Sequence, residues 1–355
     1  MVEQMVVNTD STRFSVDRQF GSSGSVRRNV QCEHMERASR CITIGLVNNM
    51  AGAAFKATER QFVSLLNAAS ESVPIQISFY TLPGLSLSES GGEHFSSHYA
   101  SIESLLDTHL DGLIVTGREP KIPNLRDEPY WESFTQLLEW ARQNTYSAVW
   151  SCLAAHAAVL YMDGIVRRKS DQKSFGVFEC APVSDHPLTQ CLSPGRHVPH
   201  SRWNGVAQHD LTEHGYSILS CIADDGVDTF IKEEESLFVF FQGHPEYETD
   251  TLMREYRRDV GRYLSGETNN YPLPPYGYFD RTTDNALAIL REKAMSCRSA
   301  ELLGRVAAAV EKTQIENTWQ SSATRIYRNW LQYIHARKTE SIEKHQVDNS
   351  LSISR

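Results

Sequence analysis

Short apolar runs rich in β-branched residues recur along the chain, each followed by a stretch with helical spacing, and this alternation constrains the fold more than any other feature. Ile42-Thr43-Ile44-Gly45-Leu46-Val47 is the first such run, and Phe55, Phe62, Leu65 and Leu66 follow it near helical spacing. Residues 75–80, Leu113-Ile114-Val115, Ser147-Ala148-Val149-Trp150 and Leu237-Phe238-Val239-Phe240-Phe241 are further strand candidates. Strands separated by helices make βαβ units, so the expectation is an α/β fold with a doubly wound, mostly parallel sheet. Ligands in such sheets bind beyond the carboxyl ends of the strands. Helical patterns over 249–264, 285–311 and 321–337 add helices after the last strand, and the stretch Tyr271-Pro272-Leu273-Pro274-Pro275-Tyr276 interrupts them.

Residues 1–39 mix Ser, Arg, Gln and Asn with isolated apolar residues and include Gly21-Ser22-Ser23-Gly24-Ser25, the texture of a disordered leader. Glu3, Asp10, Asp17, Glu33 and Glu36 argue against a transit peptide. The expected division is a leader over 1–39, one main domain over 40–280, C-terminal helices over 281–340 packed on the same domain, and a frayed tail over 341–355. No internal repeat is present.

With 355 residues and 40% hydrophobic content, the chain is long enough to bury a sizeable core. Its net charge of -9 argues against a general nucleic-acid binder, which needs a basic face to neutralise phosphates. Seven scattered cysteines with no C-x-x-C pair fit reduced cytoplasmic thiols better than a disulfide framework or a zinc site. No run approaches the ~18 apolar residues of a membrane span. A soluble cytoplasmic protein without metal is expected.

Two strand ends carry reactive side chains. Cys152 follows an apolar strand and opens an Ala-rich helix, where unpaired amides and the positive end of the helix dipole favour a thiolate. His244 and Glu246 end another strand, with Pro245 stiffening the turn between them. A carboxylate there can hold the imidazole in one tautomer while the other ring nitrogen faces a nucleophile. A cysteine in such a turn is more often inert, and a histidine before proline more often a turn residue. Their convergence at two strand ends is what a Cys-His-Glu triad requires.

The pattern resembles the class I glutamine amidotransferase-like fold, which is flavodoxin-like in its winding, and more specifically the homoserine O-succinyltransferase/O-acetyltransferase family built on it. The resemblance rests on Thr58-Glu59-Arg60-Gln61-Phe62, Asp111-Gly112-Leu113-Ile114-Val115-Thr116-Gly117, Tyr130-Trp131-Glu132, Pro199-His200-Ser201-Arg202, Gly243-His244-Pro245-Glu246-Tyr247, Arg258-Asp259-Val260 and Asn329-Trp330-Leu331, in order over about 41–335. It implies that Cys152 forms an acyl-thioester, that His244 accepts protons, and that Glu246 completes the triad. Lys173, Ser201 and Arg258 correspond to the family's substrate-binding residues. The implied reaction is a ping-pong transfer from acyl-CoA to the hydroxyl of homoserine, toward methionine-type sulfur amino acids, with no tightly bound cofactor. The family often dimerises, so a homodimer fits the resemblance. The Leu153 amide is the expected oxyanion donor, with a second from the loop at Asn49-Met50.

The chain departs from the family in three places. The loop after the first strand is Asn48-Asn49-Met50-Ala51-Gly52-Ala53-Ala54, where well-known members have a Pro-Lys-Lys type loop. Lys121 occupies the position where Gly accompanies succinyl donors and Glu accompanies acetyl donors. Its charge leans the expectation toward succinyl, whose free carboxylate it can pair with. Serine differs from homoserine by one methylene, worth only ~1–3 kcal/mol in a pocket, so serine stays an alternative acceptor. The insertion around 285–316 is a further departure. A glutamine amidotransferase is the alternative chemistry, although such enzymes usually flank the nucleophile with glycine, where this chain has Trp150-Ser151 and Leu153-Ala154.

Overall fold

The first apolar run folds as strand β1 (Ile42–Val47) and the helical spacing after it as α1 (Ala53–Ala69). The computed structural model of the protein describes residues 5–7, 41–71, 73–84, 98–223 and 226–353. The elements that bear on the site continue with β2 (Ile75–Thr81), β3 (Gly112–Val115), α2 (Trp131–Asn144), β4 (Ser147–Ser151) and α3 (Leu153–Asp163). Then come β5 (Arg168–Pro182), β6 (Arg196–Gly205), β7 (Ser217–Ile222), β8 (Gly226–Glu233) and β9 (Leu237–Phe241). Helices α4 (Thr251–Leu264), α5 (Arg281–Ser296), α6 (Glu301–Val310) and α7 (Gln320–Ile353) complete the chain.

The chain divides into two compact units, one of residues 1–150, 233–239 and 326–355, the other of 151–232 and 240–325. This differs from the linear division expected from sequence, because the chain leaves the first unit before Ser151 and returns to it twice. Of the leader expected over 1–39, Met5–Val7 pairs antiparallel with Ile75–Ile77; the rest lies outside the described residues.

In the first unit β2, β1, β3 and β4 lie side by side and parallel. Both β3 and β4 are buried at every residue, as strands covered on both faces must be. Trp150 packs edge-on against Phe134 at 5.4 Å and against Phe238 at 5.5 Å between ring centroids. Helix α7 is tied down by Trp330, whose indole N–H donates to Ser147 Oγ at 2.8 Å. Its close approach explains Gly112: a Cβ there would stand 2.8 Å from Ile334 and 3.2 Å from Trp330. Strand β9 starts here, with Leu237 N–H bonded to Tyr146 O at 3.1 Å.

The second unit contains what the sequence did not announce. Strands β8, β7, β5 and β6 run antiparallel in that order, where the sequence pattern points to parallel strands. Polar residues such as Lys169, Asp171 and Lys173 at the start of β5 mask the apolar alternation that marks a strand. Tyr256, Phe279, Leu287, Val306 and Trp319 form the unit's helical core. The helix expected over 285–311 is two helices: Cys297 takes an extended conformation (φ −153°, ψ 114°), and Ser296 Oγ bonds Glu292 O at 3.0 Å, a local bond that competes with helix continuation. In place of the frayed tail expected over 341–355, α7 stays helical to Ile353, through Glu, Lys and Gln residues of good helix propensity. Among the described residues no helix is long and apolar enough to cross a membrane.

Candidate active site

The step from β4 to α3 is made by one residue, Cys152, with φ 52° and ψ −109°. A side chain in this region costs about 1–3 kcal/mol, and such strain persists where the surroundings over-determine it. Here the Cys152 N–H is fixed to Phe241 O at 2.7 Å. The sharp elbow therefore forms without flanking glycines. It sets the half-buried thiol at the N-terminal end of α3, where the Leu153 N–H has no intrahelical acceptor.

Strand β9 ends at Phe241, and the turn after it presents His244 and Glu246. His244 Nδ1 lies 2.8 Å from Glu246 Oε1, so the carboxylate fixes the tautomer and leaves Nε2 for the other side. Cys152 acts on the imidazole as well, favouring its charged form. Burial by itself would lower the His244 pKa, but the charges of Glu246 and Cys152 outweigh it and hold the group well above its ordinary 6.5. Among the described residues the second carboxylate oxygen of Glu246 is buried without a hydrogen-bond partner. Tyr247 stacks on the imidazole with centroids 4.3 Å apart and an interplanar angle of 15°.

Lys173, Ser201 and Arg258 come together around two acidic residues one turn apart on α4. Ser201 Oγ and Tyr247 OH both donate to Glu255, at 2.5 and 2.6 Å. Lys173 Nζ lies 3.1 Å from Asp259 and 4.0 Å from Glu255, and sits 4.2 Å from the centre of the Phe175 ring. Arg258 bonds Asp259 Oδ1 at 2.8 Å and keeps 47% of its side chain exposed. Burial would raise the Asp259 pKa, but Lys173 and Arg258 bring it below the usual carboxylate value. The cluster offers cations for a carboxylate and an anion for an ammonium within one patch.

Asn49 and Lys121 belong to the first unit. The Asn49 N–H donates to Thr116 Oγ1 at 2.8 Å, at the end of β3, and the Met50 N–H to Asn48 Oδ1 at 3.1 Å within the loop, so both amides named as oxyanion donors already have acceptors. The Asn49 side chain ties three strand ends together, donating to Thr116 O at 3.0 Å and accepting from Leu82 N–H at 3.1 Å. Lys121 has an exposed side chain, and its N–H donates to Glu128 Oε1 at 2.6 Å. Among the described residues no group of three His, Cys, Asp or Glu is placed to hold a metal ion.

Sequence reasoning missed Tyr247, Glu255 and Asp259. Tyr247 and Asp259 stand inside stretches already singled out, and Glu255 precedes Asp259 by four residues, the spacing that puts two carboxylates on one helix face.

A family model described as homoserine O-succinyltransferase matches residues 26–341. A homoserine O-succinyltransferase of Rhodopseudomonas palustris is 42% identical over 316 residues, covering 89% of this chain and 95% of that protein. One of Bradyrhizobium japonicum is 42% identical over 294 residues, covering 82% of this chain and 90% of that protein. Among solved structures, a glutamine amido transferase from Methylobacillus Flagellatus aligns over 83% of this chain and 95% of its own at 14% identity, with a TM-score of 0.45.

Proposed function

The chain belongs to the homoserine O-succinyltransferase family, and from that premise we propose that it moves the succinyl group of succinyl-CoA to the hydroxyl of L-homoserine through a thioester on Cys152. The observation that carries this reading is His244, fixed by Glu246 and held well above its ordinary pKa by the charges of Glu246 and Cys152, with Cys152 itself at a strained elbow.

In the first half-reaction the Cys152 thiolate attacks the thioester carbonyl, the Leu153 N–H receives the developing oxyanion, and CoA leaves with the proton that His244 carries. Exchange of one thioester for another is nearly balanced, so the step needs an activated sulfur and a stabilised oxyanion rather than a large driving force. In the second, homoserine enters the Lys173, Ser201, Arg258 and Glu255 patch. The cations hold its α-carboxylate and Glu255 its ammonium. His244 takes the hydroxyl proton as oxygen attacks the acyl-enzyme, and collapse of the intermediate expels the Cys152 thiolate. Glu246 stabilises the imidazolium of the resting ion pair and again once His244 has taken the hydroxyl proton. The product's succinate ester is a leaving group that a later sulfur nucleophile can displace, which fits a place on the way to methionine.

The test is CoA release with succinyl-CoA or acetyl-CoA as donor and homoserine or serine as acceptor, beside a glutaminase assay. The reading predicts the highest kcat/KM for succinyl-CoA with homoserine and no glutaminase activity. A preference for acetyl-CoA or serine overturns the donor or the acceptor assignment.

A further inference from the structure

The turn that carries His244 is fixed residue by residue. Phe241 O accepts the Cys152 N–H at 2.7 Å, the Gln242 N–H bonds Asp228 O at 2.9 Å, and the His244 N–H bonds Pro199 O at 2.8 Å. The two residues between strand end and base, Gln242 and Gly243, each meet a buried histidine that is not in the triad.

His156 lies one turn after Cys152 on α3 and is 2% exposed. Its Nε2 is 2.9 Å from Gln242 Oε1. The Gln242 amide group points its Nε2 at Val227 O, and its Oε1 also accepts the Val206 N–H at 3.1 Å. Gln242 therefore presents an acceptor, and His156 must donate from Nε2. Burial, with help from Arg202 and Arg167, lowers the His156 pKa to about 4 against the raising effect of the Gln242 bond, so the ring stays neutral. The bond links the helix behind the nucleophile to the strand end before the base.

His200 is fully buried beneath Gly243. A Cβ on Gly243 would stand 2.7 Å from His200 Nε2 and 2.8 Å from Asp228 Oδ1, so only glycine fits there. Arg202 Nε donates to His200 Nδ1 at 3.1 Å, and a guanidinium has no acceptor to offer, so Nδ1 is unprotonated and Nε2–H donates to Asp228 at 3.1 Å. The other oxygen of Asp228 accepts from Arg196 at 3.0 Å, Ser220 at 2.9 Å and Thr229 at 2.7 Å. Both ring nitrogens of His200 and both carboxylate oxygens of Asp228 have partners, which holds this floor in place.

We infer that His156 and His200 are positioning residues, which set the His244 imidazole against the Cys152 sulfur by holding Gln242 and Gly243. This rests on the reading of Cys152 and His244 as nucleophile and base, and it extends the machinery to two histidines and an aspartate that touch no reacting atom.

The experiment compares wild type with His156→Leu, His156→Gln, His200→Leu and His200→Gln, after near-ultraviolet circular dichroism has established folding. The readouts are the single-turnover rate of Cys152 succinylation by succinyl-CoA, its pH profile, and the KM for homoserine. The leucine variants should lose roughly tenfold to a hundredfold in succinylation rate, the scale of a small misplacement of a catalytic group. Their pH profiles should be displaced and the KM for homoserine should hold within about twofold. A glutamine side chain can donate where each histidine donates, and at position 200 it can also accept from Arg202, so the glutamine variants should recover most of the rate. Folded leucine variants with the wild-type rate and pH profile overturn the inference. Should they fail to fold, Gly243→Ala pushes the same turn off its floor and should give the same loss; a wild-type rate there also overturns it. A wild-type enzyme that never becomes succinylated instead defeats the reading of the triad itself.

Discussion

Tyr247 lies flat on His244, ring centroids 4.3 Å apart and 15° from parallel, while its hydroxyl donates to Glu255 at 2.6 Å. One side chain thus touches both the proposed base and the proposed acceptor patch. Tyr247→Phe keeps the stack and loses the Glu255 bond, so it should raise the KM for homoserine and leave kcat within a few-fold. Tyr247→Leu loses the stack and should lower kcat as well. Steady-state kinetics of the pair checks this, and equal kinetics for the two variants would contradict it.

Glu255→Gln and Arg258→Ala each remove a charged partner for the acceptor. A charge-assisted hydrogen bond is worth about 1.5–3 kcal/mol, so each variant should raise the KM for homoserine roughly tenfold or more. Cys152 should still be succinylated by succinyl-CoA at close to the wild-type rate. Loss of that half-reaction in either variant would place the residue elsewhere in the mechanism.

The pKa of His244 gives a pH-dependent stability with a defined sign. Burial opposes the shift, but Glu246 and Cys152 hold the folded value well above 6.5. The stabilisation is therefore fully present below the unfolded value and is lost as pH rises through the folded one. Glu246→Gln removes the largest raising interaction. The Tm difference between wild type and Glu246→Gln should be wide near about pH 6 and narrow on the alkaline side, given the ordinary imidazole value. Thermal unfolding across pH tests this, and a difference that does not vary with pH would contradict it.

Gly112→Ala tests the seat of α7 in the first unit. The added methyl would meet Ile334 at 2.8 Å and Trp330 at 3.2 Å. Overpacking of this kind should cost about 1–3 kcal/mol, read as a lower Tm or denaturation midpoint.

The parallel strands β3 and β4 were legible because β3 is an uninterrupted apolar run and β4 has an apolar centre, as strands covered on both faces require. Strands β5 to β8 were not, since their pairing is set by contacts distant in sequence and β5 opens on charged residues facing outward. Cys152, His244 and Glu246 could be singled out as candidates because they sit at ends of the readable strands. That the backbone N–H of Asn49 is bonded by Thr116, 67 residues away, no local pattern announces. Glu255 went unseen for a related reason: a carboxylate on an amphipathic helix looks like a solvated charge until Ser201 and Tyr247 are seen to point at it.

The central claim is a covalent succinyl group on Cys152. Intact-protein mass spectrometry after exposure to succinyl-CoA, with peptide mapping and a homoserine chase, tests it most directly. The account predicts one added succinyl group on Cys152, removed by homoserine and absent from Cys152→Ala, which should not turn over. A Cys152→Ala variant that keeps more than a few per cent of activity, or a wild-type enzyme that turns over and never carries the adduct, would contradict it.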